Sequence, residues 1–164
     1  MTLLVRPARA ADLPAVRAVL VETWHDTYDT LFGAESVTAI TDDWHSPANL
    51  AAELDRAGHR FLVAERDGVI VGTGSATDRG DGLVWLDRLY VAPAVQRAGA
   101  GAALLDALAG AFPQADRWQL EVEARNEKGL AFYLRHGFAD TGERGGSHGP
   151  CARSVILERR RAGA

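Results

Sequence analysis

Residues 91–105 read VAPAVQRAGAGAALL, an order of residue types suited to holding an anion. Val91-Ala92-Pro93 ends a strand-like run, and the Ala- and Leu-rich sequence after it forms a helix. Between them stand Gln96, Arg97, Ala98, Gly99, Ala100 and Gly101. A helix N-terminus presents free N–H groups and about half a positive charge, which favours phosphate. Gly99 and Gly101 remove Cβ atoms that would hold a phosphate away, and Arg97 adds a cation. The stretch reads as a strand–loop–helix cradle for a pyrophosphate.

Other chemistries are excluded by spacing. The nucleotide P-loop G-x-x-x-x-G-K-[ST] is absent, and Gly99-Ala100-Gly101 lacks the third glycine of a dinucleotide fingerprint and follows the fourth strand, not the first. Gly72-Thr73-Gly74 lies inside a strand, where glycines signal a bulge or close packing. Cys151 is the single cysteine, so no internal disulfide forms. It sits in GGSHGPC, which reads as a hairpin connection; His148 there makes no convincing nucleophile pair with it. His25, His45, His59 and His136 have no ligand spacing with one another, and no metal is expected.

The elements around the cradle follow from periodicity. A short strand runs from Thr2 to Arg6, ended by Pro7. Asp12 stands as N-cap of a first helix whose Val16, Leu20, Trp24 and Leu31 follow helical spacing. A second helix covers roughly residues 35–44, and Ser46-Pro47 starts a third, NLAAELDRAG, closed by Gly58. RFLVAERDGVIVGTGSAT is two strands joined at Asp67-Gly68, a hairpin signal. GLVWLDRLYV, RWQLEVEA, FADTGER and ARSVILER are further strands. The helix after Gly101 ends at Pro113, and NEKGLAFYLRHG is the last helix. The fold class is α/β: one domain over residues 1–164 with a twisted mixed sheet of about seven strands flanked by helices.

Composition is that of an ordinary soluble domain, 47% hydrophobic and 24% charged over 164 residues. No apolar run approaches the ~20 residues of a membrane span, and the first residues lack the apolar core of a signal peptide, so a cytoplasmic protein is expected. A net charge of −4 argues against nucleic acid as partner. Residues 18–55 contain no Lys or Arg but hold Glu22, Asp26, Asp29, Glu35, Asp42, Asp43, Glu53 and Asp55. Arg159-Arg160-Arg161 reads as a solvated tail.

The cradle resembles the acyl-CoA loop of the GNAT superfamily of N-acetyltransferases. There a strand ending hydrophobic-x-Val-x-Pro precedes Gln/Arg-x-x-Gly-x-Gly/Ala, matched here by Leu89-Tyr90-Val91-Ala92-Pro93 and then Gln96 through Gly101 without a gap. A second motif fits downstream: Asn126, then Ala131-Phe132-Tyr133, then Gly137-Phe138. The resemblance runs from about Thr2 to Leu157, element order included.

The resemblance implies acetyl-CoA as co-substrate and direct acyl transfer to a primary amine. Backbone amides of Gln96, Arg97, Ala98, Gly99, Ala100 and Gly101 would bind the coenzyme pyrophosphate. Leu89, Tyr90 and Val91 would flank the pantetheine arm as an added strand, and Asn126 would cap the last helix and touch that arm. Tyr133 would protonate or hold the departing thiolate; its competing reading is a core aromatic three residues after Leu130. For the base, Asp87 lies two and four residues before Leu89 and Val91 and so shares their strand face; its competing reading is a solvated strand carboxylate paired with an Arg, and Glu121, Glu123 and water are rivals. Trp24 and Tyr28 are either a core stripe or, as in small-amine and polyamine-acetylating relatives, the acceptor wall. The acidic stretch beside them either favours a cationic acceptor or is a solvated acidic face; the expected acceptor is a small cationic amine or polyamine. A protein N-terminal or lysine acetyltransferase, a non-catalytic acyl-CoA sensor and a nucleotide-phosphate binder are the rival functions. No membrane partner is expected, and a homodimer is left open.

Overall fold

A computed structural model describes residues 2–146 and 153–163. The motif residues Cys151 and His148 lie outside the described residues. The strands are β1 (Leu3–Pro7), β2 (His59–Arg66), β3 (Val69–Gly80), β4 (Leu83–Val91), β5 (Arg117–Glu123), β6 (Ala139–Arg144) and β7 (Ser154–Arg160). The helices are α1 (Leu13–Phe32), α2 (Ala34–Trp44), α3 (Pro47–Glu53), α4 (Ala100–Ala111) and α5 (Glu127–Arg135). They build a seven-stranded mixed sheet in the order β1-β2-β3-β4-β5-β7-β6. All neighbours are antiparallel except β4 and β5, which run parallel through the α4 crossover.

Two cores sandwich the sheet. On one face Leu104, Leu105 and Leu108 of α4 are fully buried against Leu62, Ala64, Val84, Leu86, Leu120 and Leu157. Burying each leucine is worth about 1.5–3 kcal/mol. The strand glycines serve this contact: a Cβ on Gly74 would stand 3.1 Å from Leu108 Cδ1, and one on Gly72 3.2 Å from Leu104 Cδ1. Close packing, not a ligand, explains Gly72-Thr73-Gly74. On the other face α1, α2 and α3 bury Val16, Leu20 and Leu50 against Phe61 and Val63, continuing into Trp24, Tyr28, Val37 and Ile40.

Turn chemistry lands where the sequence places it. Asp67 and Gly68 take φ of 51° and 82° between β2 and β3, and Ser46 caps α3 by accepting from the Asn49 amide at 3.2 Å. Three local readings need correction. The Asp12 side chain does not cap α1; it accepts from Arg6 Nη1 at 2.7 Å and from the Arg9 amide at 2.8 Å, tying β1 to the helix start. Helix α3 stops at Glu53, short of Gly58. Arg159 and Arg160 belong to β7, and the Arg161 amide bonds the Asp116 carbonyl at 2.8 Å, so this triplet closes the sheet and is not a tail.

Candidate active site

The site forms where the central ladder fails. β4 and β5 pair only at Leu83, Val84 and Trp85 with Arg117, Trp118 and Gln119. Beyond that both strands continue, β4 to Val91 and β5 to Glu123, and diverge. A bulge drives the divergence: Ser75 faces Arg88 and Ala76 faces Leu86, leaving Asp87 as an extra residue on β4. A cavity of about 940 Å³ opens in the wedge. Leu89, Tyr90, Val91, Gln96, Arg97, Gly99 and Gly101 line it on one side, with Asn126 and Tyr133 opposite.

The bulge also reassigns a side chain. Leu86, Leu89 and Val91 all pack toward α4, so the alternation skips a residue between 86 and 89. Asp87 therefore does not share the face of Leu89 and Val91. It points to the α1–α3 side, where Thr77 Oγ1 donates to its Oδ2 at 2.6 Å. Burial pushes its carboxyl up, against the pull of the Thr77 bond and the charges of His59, Arg88 and Arg79. Asp87 still lines the cavity.

The loop before α4 has the shape of an anion cradle. Arg97 and Gly99 take φ of 64° and 89°, left-handed values that turn successive amides the same way. Ala103 is the first α4 amide bonded outside the helix, to the Gly99 carbonyl at 3.0 Å, which leaves the amides of the first turn free for a ligand. A Cβ on Gly99 would meet nothing within 4 Å; glycine is required there by backbone conformation. Gly101 is different: its Cβ would stand 3.1 Å from the Phe132 ring, so it lets α5 dock on α4. Gln96 turns its amide back to the Val91 carbonyl at 3.0 Å, bracing the loop against the strand end. The Ala100 side chain is buried in the core, and Ala98, whose carbonyl accepts from Arg66 at 3.3 Å, does not line the cavity; both could contribute backbone only. Arg97, Lys128 and Arg135 add cations around the cavity. Free amides, an uncluttered turn and cations together fit a pyrophosphate.

Helix α5 brings Tyr133 to the wedge. Asn126 caps it by accepting from the Gly129 amide at 3.0 Å, while its Nδ2 donates to the Tyr28 hydroxyl at 3.3 Å. Tyr133 packs edge-on to Phe132 and Phe138, with centroids 5.3 and 5.6 Å away. Its ring is in part exposed to the cavity, yet it lies deep among protein atoms. Burial first, then the Tyr90 phenol, pushes its hydroxyl above the ordinary tyrosine value. The group stays protonated over the working pH range.

The far wall is aromatic. Trp24 lies 4.6 Å from Tyr28, 5.5 Å from Trp44 and 6.3 Å from Tyr90 between centroids, and all four line the cavity. Trp24 and Tyr28 are also core residues, so the core stripe and the acceptor wall are one surface. The acidic stretch behaves otherwise. None of Glu22, Asp26, Asp29, Glu35, Asp42, Asp43, Glu53 and Asp55 lines the cavity; Asp29 pairs with His25, Asp42 with Arg17 and Glu53 with Arg88. The cavity's carboxylates are Asp87, Glu121 and Glu123 from strands and Glu127 from the start of α5. Glu121 accepts a short hydrogen bond from Ser154, and buried Glu123 accepts from Arg125 Nε at 2.7 Å. His59, Thr77 and Arg88, which surround Asp87 from three strands, carried no motif in the sequence; the β2–β3 register pairs His59 with Thr77, and the bulge in β4 brings Asp87 to them.

Among the described residues no group of three His, Cys, Asp or Glu could hold a metal ion, and no helix is long and apolar enough to cross a membrane. The acetyltransferase (GNAT) family profile matches residues 17–138. An uncharacterized N-acetyltransferase of Mycobacterium tuberculosis (strain ATCC 25618 / H37Rv) is 29% identical over 135 residues, 81% of this chain and 86% of that protein. An IAA acetyltransferase of Azospirillum brasilense is 33% identical over 103 residues, 61% of this chain and 67% of that one. In fold, the chain is similar to the PaiA N-acetyltransferase of Thermoplasma acidophilum, solved in complex with coenzyme A, with a TM-score of 0.90 at 23% identity over 98% of this chain and 100% of that one. The wedge between β4 and β5, the glycine cradle and the family match agree: the chain belongs to the GNAT family of acetyltransferases, which draw their acetyl group from acetyl-CoA.

Proposed function

We propose that this acetyltransferase acetylates the primary amine of a small molecule by direct attack in a ternary complex, a diamine or polyamine being the acceptor its cavity suits. The observation that carries this reading is the wedge beyond Trp85 and Gln119, with the glycine cradle at one side and the Trp24–Tyr28–Trp44 wall at the other. The free edge of β4 and the amides of residues 97–102 hold the donor. The aromatic wall holds the alkyl chain of the acceptor, and the strand carboxylates Asp87, Glu121 and Glu123 favour its cationic form. Asp87 takes the proton that an alkylammonium must lose before it can attack, its raised proton affinity suiting that task. Tyr133, kept protonated by burial, supplies a proton to the leaving thiolate.

The large aromatic rings that α1 and α2 bring to the wall support a small acceptor over a peptide. Thiol release from acetyl-CoA across polyamines, amino acids, aminoglycosides and peptides tests the reading. Turnover with diamines or polyamines and not with peptides is the expected result. Turnover confined to peptides would assign the protein N-terminal or lysine reaction, and coenzyme binding without turnover on any amine a sensor.

A further inference from the structure

Asp87 does not stand alone. Thr77 Oγ1 lies 2.6 Å from Asp87 Oδ2 and 2.8 Å from His59 Nδ1, while His59 Nε2 lies 3.2 Å from Glu53 Oε2. Glu53 is in turn gripped by both Nη atoms of Arg88 at 2.7 and 2.6 Å. The His59 side chain is only 1% exposed, whereas Asp87 at 28% reaches the cavity. The chain of contacts thus runs from the cavity on β4, through β3, to the interior of β2, and ends on α3.

Counting hydrogens on this chain is informative. Glu53 accepts from Arg88 and is ionised, so His59 Nε2 must carry a proton to bond it. A threonine hydroxyl has one proton, yet Thr77 makes a short bond on each side. Two bonds between three heavy atoms need two protons. The geometry is therefore that of the loaded unit, whose second proton belongs either to Asp87, as a carboxylic acid, or to His59 Nδ1, as an imidazolium; the empty unit has one bridging proton and makes only one of the two bonds. The two placements interconvert when the Asp87 proton moves to Thr77 Oγ1 as the Thr77 proton moves to His59 Nδ1.

We propose that Asp87, Thr77 and His59 form one proton-accepting unit, in which the proton leaving the acceptor ammonium is taken at Asp87 and stored on His59 through the Thr77 hydroxyl. The proposal rests on Asp87 being the base of the reading above. The step balances: the ammonium N–H bond breaks and an Asp87 O–H bond forms. The hydroxyl hop then restores the Asp87 carboxylate and leaves Thr77 unchanged with His59 protonated. No other bond changes. Glu53 holds the imidazole from α3 and offsets its charge, and Arg88 keeps Glu53 ionised. Arg79 on β3 and His45 at the end of α2 are the other titratable groups facing this cluster. Thr77 and His59 are positioning residues, since they touch the acceptor only through Asp87.

The experiment compares kcat and the pH profile of kcat/KM for wild type, Thr77→Val, Thr77→Ser and His59→Gln on an amine the wild type acetylates. Coenzyme A calorimetry and thermal unfolding are run in parallel. In wild type the acidic limb reports the whole unit. Thr77→Val is nearly isosteric but breaks the bridge, so the proton loses its resting place on His59 and is bound less tightly. The acidic limb should move to lower pH by about one unit and kcat should fall about tenfold. His59→Gln should do the same, and Thr77→Ser should keep the wild-type profile. Coenzyme affinity should be unchanged throughout. If either folded variant, Thr77→Val or His59→Gln, keeps the wild-type limb and kcat within about twofold, the relay is overturned while the acetyltransferase reading survives. A wild type inactive on every amine would instead sink the reading on which the relay rests.

Discussion

The two glycines of the cradle do different work, and the difference is measurable. Gly99 sits at φ +89° with nothing within 4 Å of a built Cβ, so Gly99→Ala meets no atom but forces an L residue into the left-handed region. That costs about 1–2 kcal/mol. For a domain of this size 1 kcal/mol lowers Tm by roughly 2–4 °C, so the expected fall is about 2–8 °C. Gly101 lies inside α4 without a positive φ, and its Cβ would stand 3.1 Å from the Phe132 ring. Gly101→Ala gains about 1 kcal/mol of helix propensity and asks Phe132 to yield by a few tenths of an ångström, so the two effects nearly cancel. Gly99→Glu adds to the backbone cost a carboxylate facing the phosphate site. A unit charge about 4 Å from another costs about 1 kcal/mol in water and about 4 kcal/mol at a protein surface. Coenzyme A affinity should therefore fall about 5- to 10³-fold. Differential scanning fluorimetry reads the first pair and isothermal calorimetry the last. A Gly101→Ala protein that loses more Tm than Gly99→Ala would refute the division of roles. A folded Gly99→Glu protein with wild-type affinity would remove the cradle from the coenzyme site.

Other consequences are open to the same kind of measurement. Tyr133→Phe keeps the ring and its contacts with Phe132 and Phe138, so fold and coenzyme affinity should survive while kcat drops about 10²- to 10⁴-fold; a loss under threefold would leave Tyr133 a packing residue. His45, buried at the end of α2 and edge-on to Trp24 at 5.8 Å, is held down to about 4 by burial and then by Arg88 and Arg17, with Glu53 opposing. Its folded value lies below the unfolded one near 6.5, so the unfolded chain binds the extra proton and stability falls as pH drops from about 6.5 towards 4. Between pH 7 and pH 5 the wild type should lose about 2 kcal/mol of unfolding free energy in urea titrations; His45→Leu should lose little of it, and an equal loss in both would acquit His45.

The order of elements and the cradle were legible because they rest on local signals: strand alternation, a Pro, two glycines and an Ala-rich helix. Asn126 as a cap and Tyr133 beside the wedge follow from a second local pattern. The face of Asp87 was not legible. It depends on one extra residue in β4, and a bulge is a property of the pairing with β3, not of β4 alone. The same holds for His59 and Thr77, ordinary strand residues until the β2–β3–β4 register brings them together. The acidic stretch misled for a related reason. Charge counts along a stretch do not say which carboxylates will be taken by Arg17 or Arg88, which lie outside it, or by His25 one turn away on α1.

The short pairing of β4 with β5 has a mechanical side. Three residue pairs join two half-sheets, β1 to β4 and β5 to β7, whereas longer ladders stitch β1 through β4 and β5 to β7 on either side of the seam. The seam resembles a zipper closed at one end only, braced there by the Asp116 and Arg117 amides on the Gly82 carbonyl at 2.8 and 3.1 Å. A ligand lying in the open end adds rungs that the backbone itself does not supply. The cohesion of the two halves and the affinity for that ligand are then one quantity seen from two sides: at a hundredfold excess over Kd, binding adds about 2.7 kcal/mol to the whole domain. Amide exchange along the seam would slow on binding far beyond the residues touched. A substitution at Gly82, which does not itself line the cavity, would loosen the grip on the coenzyme.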